Sequence, residues 1–132
     1  MKKIILLLFC LLFNLSVHST GWEALLEAIS FVESRHNPKA KNGIYVGCLQ
    51  IGPLMVKECN AILKKQNNPK RFTLNDRYNK EKSYEMFRLF QSKYNPSGNV
   101  EKAIRMWNGG PRYSVSKTNG YFRKVMRVYQ SS

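Results

Sequence analysis

Four clusters of asparagine, proline and glycine cut this chain into pieces of helical length and leave little for strands. They are Asn37-Pro38-Lys39-Ala40-Lys41-Asn42-Gly43, Asn67-Asn68-Pro69, Asn95-Pro96-Ser97-Gly98 and Gly109-Gly110-Pro111. Proline has no amide hydrogen and a fixed φ, and glycine accepts left-handed backbone, so such clusters end regular elements. Between them the spacing predicts a helix over 21–34 and another from Leu54 to Gln66, with Pro53 as its first-turn residue. A third runs from Lys80 to Tyr94, capped by Asn79, with Tyr84, Phe87, Leu89, Phe90 and Tyr94 as its apolar face. A fourth runs from Val100 to Trp107 behind an Asn99 cap, and a last from Tyr121 to Gln130 with Phe122, Val125, Met126 and Tyr129 on one side. Only Ile44 to Ile51, β-branched at its ends with a glycine inside, reads as extended chain or a short hairpin. The expected fold is mainly α: a small globular domain of about five helices with one short extended element.

The N-terminus belongs to a different class of segment. Met1-Lys2-Lys3 is a basic head, Ile4 to Phe13 is an apolar run, and polar or small residues follow. This is the layout of a secretory signal peptide, with Val17-His18-Ser19 fitting the cleavage rule. The run is about half the ~20 apolar residues that a membrane span needs. Residues 1–19 are therefore expected to be removed, leaving residues 20–132 as one exported domain, in the periplasm or cell envelope, with no stable membrane anchor. Lysine and arginine total 22 against 8 acids, a net charge of +14. Such a field favours polyanions; for an exported protein these are an acidic wall or an anionic membrane surface. Export and the lack of any nucleic-acid module signature speak against nucleic acid. Cys48 and Cys59 remain after the signal, as a disulfide or as two buried thiols. No cysteine–histidine cluster suggests a metal, and no cofactor is implied.

One residue breaks the pattern of the first helix. At about 100° per residue, Trp22, Leu25, Leu26 and Ile29 form an apolar stripe, while Glu23, Glu27, Ser30 and Ser34 lie on other faces. Glu33 falls in the middle of the stripe. A carboxyl there faces a core or a cleft floor, where desolvation disfavours its charged form and raises its pKa. A carboxylic acid kept protonated near neutral pH is what general-acid cleavage of a glycosidic bond requires. Two plainer places for Glu33 are solvent at the helix end and an ion pair with a nearby arginine.

Four segments in order extend that reading: Glu33-Ser34, Gly47-Cys48-Leu49-Gln50, Met106-Trp107-Asn108-Gly109-Gly110-Pro111, and Tyr121-Phe122-Arg123-Lys124-Val125. Together, from about Trp22 to Tyr129, the chain resembles the soluble lytic transglycosylase family, whose catalytic domain has a goose-type-lysozyme-like fold. The family shows Glu-Ser, then Gly-Leu-Met-Gln, then Ala-Tyr-Asn, then a tyrosine opening a terminal helix. Here Cys48-Leu49 stands for Leu-Met and Met106-Trp107 for Ala-Tyr, changes that keep apolar bulk. The resemblance implies peptidoglycan glycan strands as substrate and Glu33 as acid and later base. It implies that Ser34 supports the turn after Glu33 and contacts substrate. It implies sugar contacts for Gln50 and Asn108, a close backbone approach at Gly47, and orientation of Glu33 by the Tyr121 hydroxyl.

A one-carboxylate site suits that chemistry, because two-carboxylate glycosidases need a partner acid several ångströms away. Of the eight acids, Asp76 in the Thr73-Leu74-Asn75-Asp76-Arg77 loop is the one candidate partner, and pairing with Arg77 or shaping the loop is its plainer role. Trp107, Tyr45, Tyr113 and Tyr121 are candidates for stacking on sugar faces. The alternatives are a lysozyme using the same Glu33 with water as acceptor, and a non-catalytic wall-binding domain. A secretion or conjugation apparatus spanning the envelope, a phage, or general wall remodelling are systems such an enzyme would serve.

Overall fold

A computed structural model describes residues 21–132; the N-terminal apolar run and the expected cut after Ser19 lie outside the described residues. Helix α1, Glu23–Ser34, buries Leu25, Leu26, Ala28 and Ile29 and carries Glu23 in its first turn, where an acid meets the positive end of the helix dipole. Ser30, which the wheel groups with the outward residues, is buried as well, because Cys48 lies beside it on that flank. The helix then stops sharply. Arg35 (φ 53°) and His36 (φ 64°) both adopt left-handed backbone, and their amides return to the carbonyls of Phe31 at 2.9 Å and Ser30 at 3.2 Å. Such backbone costs a non-glycine residue roughly 1–2 kcal/mol. Two side-chain contacts hold it: the Asn37 amide donates to Ser34 Oγ at 3.1 Å, and His36 Nδ1 lies 3.1 Å from Ser30 Oγ.

The extended element is a small antiparallel hairpin. Strand β1, Lys41–Asn42, pairs with β2, Tyr45–Val46, in the register Lys41 to Val46 and Asn42 to Tyr45. Gly43 supplies the positive φ (63°) that a two-residue hairpin turn requires. The hairpin thus begins three residues before the stretch expected to be extended, and Val46 bridges onward to Ile51 around the loop 47–50.

Helix α2, Pro53–Lys65, has proline in its first turn and Lys64 and Lys65 in its last, both favourable placements. A short 3-10 helix, Leu74–Tyr78, occupies the segment expected to be loop. Thr73 and Asp76 close it as a reciprocal capping box, with the Thr73 amide donating to the Asp76 carboxylate at 2.7 Å. Asp76 therefore shapes the loop and does not pair with Arg77. Arg77 is buried instead, its guanidinium donating to the carbonyls of Leu74, Ile44 and Ile51. Helices α3 (Lys80–Tyr94) and α4 (Val100–Gly109) begin at Asn79 and Asn99, whose side chains accept from the amides of Lys82 and Lys102.

Helix α5, Val115–Ser131, starts six residues before the expected Tyr121. Its first turn is fixed by Ser114 as cap and by buried Arg105 of α4, which donates to Val115 O, Thr118 Oγ1 and Asn119 Oδ1. The chain is therefore mainly α, with five α-helices, one 3-10 helix and one two-stranded hairpin among the described residues. The core joins α1, α2, α3 and α4 with the loop residues Cys48, Leu49 and Ile51 and with Val125 of α5. Helix α5 packs on both α1 and α4. No helix among the described residues is long and apolar enough to cross a membrane.

Candidate active site

Packing α5 on α1 brings together residues 88 positions apart. The Tyr121 hydroxyl donates to Glu33 Oε2 at 3.2 Å. Glu33 is half-buried, on the last turn of α1. Burial pushes its carboxyl up to about 7, with the Tyr121 hydrogen bond pulling modestly the other way. Burial, with the Glu33 charge beside it, also raises Tyr121 well above the ordinary tyrosine range, so its hydroxyl stays a donor. No cation pairs with Glu33 among the described residues. Neither solvent at the helix end nor an ion pair describes its surroundings; the carboxyl sits against a neutral donor.

The other acids are committed elsewhere or exposed. Glu27 accepts from Tyr84 and lies near Lys80 and His36. Glu58 accepts from Lys93 and Tyr94, Glu85 meets Lys70, Glu101 lies near Arg105, and Asp76 caps the 3-10 helix. Glu23 and Glu81 are exposed. Among the described acids, Glu33 alone has a neutral hydroxyl partner with no cation beside it.

The loop 47–50 is the second part of the site. Val46 and Ile51 exchange both backbone hydrogen bonds, at 3.2 and 2.9 Å, and close the loop at its base. Cys48 and Leu49 point into the core, leaving two successive carbonyls for side chains. Ser34 Oγ reaches Cys48 O at 2.8 Å, and Trp107 Nε1 donates to Leu49 O at 3.1 Å. The loop is thus clamped between the residue after Glu33 and the residue before Asn108. Gln50 takes left-handed backbone (φ 53°), with its side-chain amide donating to Gly47 O at 3.0 Å and Ala40 O at 3.4 Å. Gly47 has φ 84°, and a Cβ there would lie 1.8 Å from the Arg77 carbonyl oxygen. The close approach that Gly47 permits in this structure is to the chain's own backbone, seating the loop on the 3-10 helix.

Gln50 and Asn108 share a cleft of about 630 Å³ between one face of α2 and the end of α4, with Tyr45 and Trp107 also in its wall. Glu33 and Tyr121 do not line this cleft; the clamped loop connects the two. Trp107 stacks at an angle on Phe87, ring centres 5.0 Å apart, and edge-on to Phe90 at 6.3 Å. Its indole is thereby both core filler and hydrogen-bond donor, a dual use that the amphipathic ring permits and that sugar stacking alone does not predict. Tyr113 is half-buried and packs at Gly109, where an added Cβ would meet Tyr113 Cβ at 2.9 Å and Thr118 Cγ2 at 2.8 Å. Glycine is required there so that the α4 end, and with it Asn108, can rest on α5.

Cys48 and Cys59 are free and buried. The Cys59 thiol lies 3.4 Å from Met86 O and burial pushes it up to about 12; burial raises Cys48 too. These are packing thiols with little thiolate character. Among the described residues no three His, Cys, Asp or Glu side chains gather as a metal-ligand set. Compared with known protein families, curated proteins and solved structures, the chain matches none of them.

Proposed function

We propose that this chain is an exported peptidoglycan lytic transglycosylase on a goose-type-lysozyme-like helical domain. The reading is carried by one observation: a half-buried carboxyl raised to about 7, held by a tyrosine hydroxyl at 3.2 Å, with no cation beside it. A carboxyl raised to about 7 keeps a sizeable protonated fraction near neutral pH for the first, acid step, and the carboxylate left by that step is basic enough to take a proton in the second. The Ser34 and Trp107 clamps on the loop that carries Gln50, and the cleft shared by Gln50 and Asn108, support the same reading.

In this mechanism Glu33 gives its proton to the oxygen between N-acetylmuramic acid and N-acetylglucosamine. The bond from that oxygen to muramic C1 breaks, and the N-acetylglucosamine leaves with a free 4-hydroxyl. The muramic 2-acetamido group stabilises the electron-poor C1 centre. Glu33, now a carboxylate, takes the proton of the muramic C6 hydroxyl while that oxygen bonds to C1. The product is a 1,6-anhydro sugar, Glu33 ends protonated as it began, and no water is consumed. Tyr121 orients the carboxyl and supports its anionic state between the two steps.

Hydrolysis by the same Glu33 is the competing reading. The observation that weighs against a two-carboxylate version is the use of Asp76 as a helix cap. The test is release of soluble fragments from purified peptidoglycan by the unsubstituted protein and by Glu33→Gln. Turnover abolished in a folded Glu33→Gln protein supports the assignment; substantial residual release would sink it. A protein that binds strands and never cleaves them would be a wall-binding domain.

A further inference from the structure

The 630 Å³ cleft has an uneven charge that the reaction itself does not use. Its α2 wall is formed by Leu54, Lys57, Glu58 and Ala61, residues on one side of the helix at spacings of three and four. Glu58 is neutralised: one of its oxygens accepts from Lys93 Nζ at 2.8 Å and from Tyr94 Oη at 2.6 Å, and Lys93 and Tyr94 hold its carboxyl below the ordinary range. Lys57 is exposed and meets no acid among the described residues. The other walls are largely apolar, and Leu54 and Tyr45 leave 80% and 50% of their surface open. The cleft therefore offers apolar and aromatic surface, the Asn108 amide, the Gln50 side-chain carbonyl (its amino group being held by Gly47 O and Ala40 O) and one uncompensated cation.

That set fits a ligand with sugar or alkyl faces and an isolated carboxylate. A phosphate polymer would be met by a row of cations along its backbone. A lone lysine is a point charge that suits a single anionic group. We infer that the cleft binds the peptide-bearing part of the muramyl strand, with Lys57 pairing a carboxylate of the peptide stem. The inference rests on the transglycosylase reading and adds a preference to it: stem-bearing strands should be favoured over strands stripped of peptide.

The test compares binding of peptide-bearing and peptide-free glycan fragments of equal length to the Glu33→Gln protein, which holds strands without cutting them. Exposed ion pairs bring up to about fivefold in affinity, so a preference of about that size is expected for the peptide-bearing fragment. Lys57→Gln should erase it, Lys57→Arg should keep it, and high salt should weaken it. Equal binding of the two fragments, or an undiminished preference in Lys57→Gln, would overturn the inference. Cleavage by the unsubstituted protein separates the two levels. Anhydro products formed equally well from both strand types would defeat only the stem preference, whereas no binding and no cleavage of either would defeat the function and the preference together.

Discussion

Burying Glu33 should leave a pH signature in stability that can be read without knowing the substrate. In the unfolded chain its carboxyl titrates near the ordinary 4.5, and in the folded chain near 7. The unfolded state therefore releases its proton first as pH rises, and native stability falls between these two values. Below 4.5 both states are protonated and the group contributes nothing; above 7 the full penalty applies. At about 1.4 kcal/mol per tenfold change in acidity, the displacement corresponds to about 3 kcal/mol. Glu33→Gln removes the titration and keeps the shape. Relative to the unsubstituted protein it should gain about 3 kcal/mol as pH is raised from 4 to 8, roughly 10 °C in melting temperature for a domain of this size. Any constant offset from the amide itself cancels, because only the change with pH is read. Urea or thermal denaturation of both proteins across this range is the assay. A difference that stays flat with pH, or that moves in favour of the glutamate at high pH, would refute the buried-carboxyl account.

Three further outcomes follow from the geometry. Tyr121→Phe removes the one hydrogen bond that lowers the Glu33 pKa, so the loss of activity on the alkaline side should move to higher pH while turnover falls; a pH–rate profile checks both. Gly47→Ala should destabilise by more than about 2 kcal/mol, since the new Cβ would overlap the Arg77 carbonyl at 1.8 Å and the φ of 84° is unfavourable for alanine; denaturant unfolding measures it. Trp107→Phe keeps the ring packing on Phe87 and Phe90 but loses the donor to Leu49 O. It should cost about 1 kcal/mol, and because the loop bearing Gln50 loosens, turnover should fall more than stability does, as steady-state kinetics beside a melt would show.

Much of this arrangement is legible in local sequence, and the rest fails to be for identifiable reasons. The wheel of α1 places Glu33 on the apolar stripe because helical periodicity is a property of consecutive residues, and the carboxyl is indeed half-buried. The asparagine caps of α3 and α4 are local in the same way. Four of the first six residues of α5 are polar and the sixth is Gly120, so no apolar periodicity announces a helix there; besides the local Ser114 cap, its early start depends on Arg105, buried ten or more residues upstream. The 3-10 helix at Leu74 did carry a local sign, Thr73 three residues before Asp76, the spacing of a capping box. With that sign read, Asp76 is a cap and loses its standing as a catalytic partner. The meeting of Tyr121 with Glu33 is a tertiary fact, indicated beforehand only by family resemblance. The clamp of Trp107 on Leu49 was not indicated at all, since an indole shows no preference for core packing, sugar stacking or donation until its neighbours are placed. The family resemblance implies a close backbone approach at Gly47, and it takes the fold to show that Arg77 is a neighbour the glycine makes room for.

The most direct test of the central claim is mass spectrometry of the fragments that residues 20–132 release from purified peptidoglycan. The account predicts muropeptides one water lighter than hydrolysis products, ending in 1,6-anhydro-muramyl residues, and none from Glu33→Gln. Reducing-end fragments of full hydrolytic mass would contradict it and make the protein a muramidase that hands the Glu33-activated bond to water.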